Sequence, residues 1–160
     1  MGERYTTIFE VSWRESLLHP LLFFAIGVIA LLVITRKNAS NPSAGFQKGF
    51  LYFFWAPLWF GISLLWLFSA VHDGYQFTRA LRSGQCAIVE GTVSVLHEQP
   101  RSGHAAGDRI RIADKEFVYS YFRENVGYHQ TVSRGGALMN GVSARLYYVG
   151  GTILKVEIKK

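Results

Sequence analysis

From Leu21 to Ile34 the chain runs fourteen residues, LLFFAIGVIALLVI, without a charge or a polar side chain. A second block, Phe50 to Val71, carries no charge over twenty-two residues, and its only aliphatic hydroxyls are Ser63 and Ser69. These two blocks constrain the fold more than any other feature of the sequence. A helix rises about 1.5 Å per residue and the hydrocarbon layer of a bilayer is about 30 Å thick, so a span needs about 20 apolar residues. The second block meets that length outright. The first meets it when its helix is taken from Leu17 to Thr35. A cleaved signal peptide fits the first block poorly, because the run is long and no small-x-small cleavage site follows Thr35. A buried core helix fits the second poorly, because the rest of a 160-residue chain is too small to cover it. The blocks therefore predict two transmembrane helices, about 17–35 and 50–71.

The flanks agree with that reading. Trp13 and Tyr52 sit near block ends, where amphipathic rings favour the headgroup region, and Arg36-Lys37 closes the first block. Pro20 falls in a first helical turn, where its missing N–H costs nothing, whereas Pro57 is predicted to bend the second helix. The stretch 36–49 is rich in Asn, Ser, Pro and Gly and reads as a polar hairpin loop. Two spans put both termini on one side. The basic residues nearly tie, with Arg36, Lys37 and Lys48 in the loop against Arg4, Arg14, Arg79 and Arg82 on the terminal side. The count places both termini in the cytoplasm, at a bacterial inner membrane. No Asp, Glu, Lys or Arg lies inside either span, so ion or proton conduction by the helices is disfavoured.

Beyond Val71 the pattern changes. His72-Asp73-Gly74 is predicted to break the helix, and residues 75–83 to form an amphipathic stem. The lone Cys86 excludes an internal disulfide and reads as structural. From there the signals are those of strands. CAIVEGTVSVL alternates, with Gly91 suggesting a bend; DRIRI and KEFVYSYF read as a hairpin across Ala113-Asp114. VSARLYYV and TILKVEI flank Gly150-Gly151, a pair suited to a two-residue turn. Five strands, the first long and bent, with a longer connection from Arg123 to Asn140, suggest a small closed barrel of the OB type. The predicted fold class is thus a two-transmembrane-helix hairpin (anchor 1–84) followed by a five-stranded OB-like β-barrel (85–160). An SH3-like barrel or an open antiparallel sheet is the alternative.

Two helices followed by a small barrel ending in G-x-x-x-x-x-x-Y-x-G-G-x-I-L-K-V, from Gly141 to Val156, resemble the membrane-anchored OB modules of NfeD-type bacterial proteins. The stretch FVYSYFRENVGYHQTVSRGGALMNGVSARLYY is similar to a segment of small bacterial two-helix membrane proteins that have no assigned activity. The resemblance implies an accessory, partner-binding role in a membrane assembly. It implies no catalytic residue.

The residues themselves point the same way. His97-Glu98 and His104-x-x-x-Asp108 are the only local metal-ligand candidates, in a loop that reads as a hairpin tip, and no metal or other cofactor is assigned. No P-loop, dinucleotide fingerprint, nucleophile elbow or paired carboxylate is present. Ser133-Arg134-Gly135-Gly136 could form an anion nest, though an ordinary turn is the simpler reading. The candidate binding set is Arg109, Arg111, Tyr119, Tyr121, Arg123, Tyr128, Arg134, Arg145 and Tyr147, arginine interleaved with tyrosine. That composition suits single-stranded nucleic acid. Residues 85–160 carry only ten Lys/Arg against seven Asp/Glu, however, which is thin for a phosphate-backbone binder. Arg and Tyr serve protein contacts equally well. The expectation is a non-catalytic binding or scaffolding module whose partners are the bilayer and another membrane protein or a second copy. A tethered single-strand binder and a subunit of a membrane enzyme or transport assembly are the alternatives.

Overall fold

The computed structural model describes residues 4–39, 49–122 and 126–160. The chain divides into two units, Trp13–Asp73 and a second made of the residues up to Ser12 together with Gly74–Lys160.

Two helices, α1 (Leu18–Ala39) and α2 (Ala56–Arg82), dominate the first unit, and α2 continues beyond it. A π-helical stretch, Leu51–Trp55, leads into α2, and the Ala56 N–H bonds the Leu51 carbonyl. Pro57 explains the wide turn. It offers no N–H to the Phe53 carbonyl and its ring crowds that oxygen, so the ladder shifts to i→i+5 just ahead of it. The proline thus yields a π turn where the sequence predicts a bend.

Aromatic rings hold the helix pair together. Phe23 stacks on Trp59 with centroids 4.1 Å apart and meets Trp66 edge-on at 5.5 Å, while Phe24 meets Phe60 at 5.1 Å. Trp59 lies over Gly27, where any Cβ would overlap the indole. The Ser63 hydroxyl donates to the Trp59 carbonyl at 2.7 Å, so this buried polar group is satisfied within its own helix.

Leu18–Lys37 and Leu51–Arg82 are both long and apolar enough to cross a bilayer. Only 11% and 17% of their apolar windows are buried within the protein. Leu21, Leu22, Ile26 and Ile29 on α1, and Leu64, Leu65 and Phe68 on α2, stand exposed, as does Phe53 in the π turn. A core helix of a water-soluble protein would have these side chains covered.

The predicted break at 72–74 and separate stem at 75–83 do not form, because α2 runs unbroken to Arg82. The Thr78 hydroxyl donates to the Gly74 carbonyl at 2.7 Å, within a continuous turn. The helix ends at left-handed Gly84, where Gln85 N–H bonds Ala80 O and Gly84 N–H bonds Leu81 O, the paired closing bonds of a Schellman motif. At about 1.5 Å per residue, α2 is about 40 Å long, against a hydrocarbon layer of about 30 Å.

The second unit is a six-stranded antiparallel open sheet of order β1-β6-β5-β2-β3-β4. Its strands are β1 (Tyr5–Glu10), β2 (Ala87–His97), β3 (Asp108–Ile112), β4 (Lys115–Tyr119), β5 (Ser143–Val149) and β6 (Thr152–Lys159). β2 pairs with β5 through 87–92 and with β3 from Val93 onward, and Gly91 sits beside that switch, its bare Cα close to Ile112 and Ala113. The β5–β6 hairpin closes through Gly150 (φ +56) and Gly151 (φ +93), a turn that needs left-handed backbone at both positions. Val93, Ile110, Ile112, Phe117, Leu138, Leu146 and Val156 fill the core.

Two expectations are corrected here. The sheet has six strands, not five, because Tyr5–Glu10, assigned by sequence to the anchor, pairs along β6. Among the described residues no ladder joins the edge strands β1 and β4, so the barrel is not closed. The edge of β6 that a five-stranded barrel would use for closure is occupied by β1. Side chains fill the gap that the missing ladder leaves: Phe9 from β1 meets Tyr128 edge-on at 5.4 Å, and Tyr128 meets Tyr119 of β4 at 5.2 Å.

Candidate functional site

The burial pattern of β3 contains an anomaly. Asp108, Ile110 and Ile112 share the inward face, so a carboxylate stands in line with two core isoleucines and is fully buried. Burying a charge is costly unless it is hydrogen-bonded. Asp108 is bonded on both sides: one oxygen accepts the Gln99 N–H and the other the Val132 N–H, each at 2.7 Å. One side chain thereby fastens two separate loops to the start of β3.

Gln99 extends the network. Its side-chain amide donates to Ala105 O at 3.0 Å, while its side-chain oxygen accepts from the Ser120 hydroxyl at 3.0 Å and the Tyr121 N–H at 3.3 Å. Ser133 Oγ donates to the Gln99 carbonyl at 2.6 Å. Arg101 donates to Ser133 O at 2.7 Å and Arg134 donates to Arg101 O at 2.9 Å. Three segments, 99–107, 120–122 and 131–136, are thus cross-linked at one end of the sheet around the buried Asp108 and Gln99 side chains.

That network supports exposed aromatic rings. Tyr121 and Phe122 are 45% and 54% exposed. The Arg134 guanidinium lies 4.0 Å from the Tyr121 ring centre and 5.2 Å from that of Phe122. Phe122 packs directly on the backbone of Gly103, and the Ser120 hydroxyl accepts its N–H at 3.3 Å. Two large aromatics are thus held open to solvent by a hydrogen-bonded scaffold.

Two phenols lie behind this surface. The Tyr119 hydroxyl is buried beside Asp108 without a well-formed hydrogen bond among the described residues. Burial, then the neighbouring carboxylate, pushes its ionisation far above the ordinary tyrosine range. Burial likewise raises Tyr128, although its hydroxyl accepts the Ala137 N–H at 2.8 Å.

The sequence-derived set scatters over the unit. Tyr121 and Arg134 come together as described. Tyr119 and Tyr128, expected among the exposed residues, are 3% and 2% exposed and belong to the core, because each ring seals the gap between β4 and β1. Arg111 pairs across the hairpin with Glu116, whose carboxyl it holds below the usual range. Arg145 lies on the outer face among Glu90, Glu157 and the Tyr5 ring. The Tyr5 hydroxyl donates to Glu90, and together with Arg145 it lowers the Glu90 carboxyl. Tyr147 donates to Glu157 at 3.3 Å in the same ladder, where Lys155 also pairs with Glu157. Arg109 is exposed in a row with His97 and Val118 at the network end of the strands. Arg123 lies outside the described residues.

The other sequence candidates resolve as follows. The 133–136 turn is not an anion nest: the N–H groups of Arg134 and Gly136 bond Thr131 O, and that of Gly135 bonds Val132 O. Among the described residues no three His, Cys, Asp or Glu side chains are placed to share a metal ion. Sequence reading missed Asp108 as an organiser, and Gln99, Arg101 and Phe122 altogether. The signal for Asp108 was available, since an acid in register with Ile110 and Ile112 must face the core.

No family model, no curated protein and no solved structure matches this chain.

Proposed function

We propose that the chain is a membrane-anchored, non-catalytic binding module in which a helical hairpin holds a small β unit at a bilayer surface and the Tyr121–Phe122 end makes the contact. The observation that carries this reading is the apolar surface of the two helices, much of which the protein leaves exposed. Lipid is the solvent that such a surface requires. The mechanism is positional: confinement to a bilayer raises the effective concentration of the β unit toward anything else held there.

The layout of the chain supports it. β1 precedes the hairpin, β6 is the last strand, and the two pair side by side, with the Lys160 N–H bonding Arg4 O. Both ends of the chain therefore lie on one side of any bilayer the hairpin crosses, and we take that side as cytoplasmic from the basic-residue count. A core closed by fully buried Ile110, Ile112, Leu138 and Leu146 favours binding over catalysis. A single-strand nucleic-acid role has less support, because Tyr119 and Tyr128 are unavailable for stacking and Arg111 and Arg145 are already paired.

Alkaline carbonate extraction tests the anchor: the chain is expected in the membrane pellet, and release into the supernatant contradicts the reading. Photo-crosslinking tests the surface. A crosslinking residue at position 122 is expected to give adducts and one at Ser94, on the outer face of β2 in register with Arg111, none; equal labelling at both sites removes the assignment.

A further inference from the structure

We infer that the Tyr121–Phe122 end of the β unit docks on anionic lipid headgroups, a reading that rests on the membrane anchor proposed above. Two exposed rings on a rigid scaffold beside guanidinium groups are what the headgroup region accepts, because the rings enter its apolar side while the cations remain among the phosphates. Arg101, Arg109 and Arg134 lie at this end of the sheet, with exposed Glu98 next to His97 on β2, and Glu116, the acid that also feels Arg109, is already paired with Arg111. Asp108 is buried and both its oxygens accept backbone N–H groups, so its carboxylate does not pair directly with these guanidinium groups. Arg134 spends one N–H on Arg101 O and Arg101 spends its Nε on Ser133 O; among the described residues no hydrogen bond takes the other guanidinium donors of the two, which suit phosphate.

Charge complementarity and proximity select the occupant. A chain fixed in a bilayer meets lipid phosphates continuously, so even a weak surface is occupied. The rings are preorganised, so docking costs little ordering entropy. Three cations with two rings suit a planar array of phosphates better than a tracked nucleic-acid strand, which would need a longer basic groove.

The test uses the full chain in nanodiscs of phosphatidylcholine and in discs rich in phosphatidylglycerol, with hydrogen exchange read residue by residue. Exchange at Gly103, Tyr121, Phe122 and Gly135 is expected to be several-fold slower in the anionic discs. High salt and the Phe122→Ser variant should each restore the phosphatidylcholine rates, and Arg109→Gln should fall between. Unchanged exchange at Ile110 and Leu146 in the variants certifies the fold. Equal loop exchange in the two lipids overturns docking. So does slowing produced by a soluble acidic polypeptide or an oligonucleotide but not by anionic lipid. When the chain stays in the carbonate pellet, such results leave the anchor standing; release by carbonate overturns both readings.

Discussion

Asp108 is where a single side chain decides most. It replaces water for two backbone donors that begin separate loops, and hydrogen bonds to a charged group contribute about 1.5–3 kcal/mol each. Asp108→Asn keeps the shape but turns one acceptor into a donor facing an N–H. We expect a loss of about 2–4 kcal/mol, measured by denaturant unfolding in mild detergent. Tyr119→Phe should behave oppositely, neutral or slightly stabilising, because it removes a buried hydroxyl that lacks a good partner. The same phenols set an alkaline limit. Tyr119 and Tyr128 ionise above the ordinary value of about 10 in the fold, so the protonated ring is the favoured form. Their contribution is complete below that pH and is lost as pH rises through their raised values. Tyrosinate absorbance followed against pH should show Tyr119 and Tyr128 ionising only as structure is lost; their ionisation with the fold intact at the ordinary tyrosine value contradicts their burial.

At the scale of elements, the helix pair is keyed by Gly27 and Trp59. A side chain at Gly27 meets the indole directly, so Gly27→Leu should push the helices apart, costing about 1–3 kcal/mol as overpacking does and weakening the near-ultraviolet signal of the stacked aromatics. An unchanged spectrum and melting profile would show that the pair does not pack through this notch. The helices themselves were legible, because long apolar runs carry their signal locally. So was the β5–β6 turn, since Gly150-Gly151 can take left-handed backbone that few other pairs accept. β1 was not legible: Tyr5–Glu10 is a half-exposed edge whose identity depends on β6, nearly 150 residues later. The candidate surface was half legible. Composition found Tyr121 and Arg134, but also Tyr119, Tyr128 and Arg145, because strand alternation cannot say which face carries the gap-filling rings or which arginines meet a carboxylate across strands.

For the whole molecule, the chain begins in the sheet, leaves for the helical hairpin and returns to complete the sheet. Reporter fusions at the two termini should therefore give the same compartment signal, and opposite signals would break the even number of crossings. The central claim is that the hairpin sits in lipid, and the placement of tryptophan allows a direct measurement. All four, Trp13, Trp55, Trp59 and Trp66, lie in the helical unit, so intrinsic fluorescence reports on that unit alone. In vesicles of lipids brominated along their acyl chains, the emission should be blue-shifted and strongly quenched. Unquenched emission at the wavelength of water-exposed indole would contradict the account.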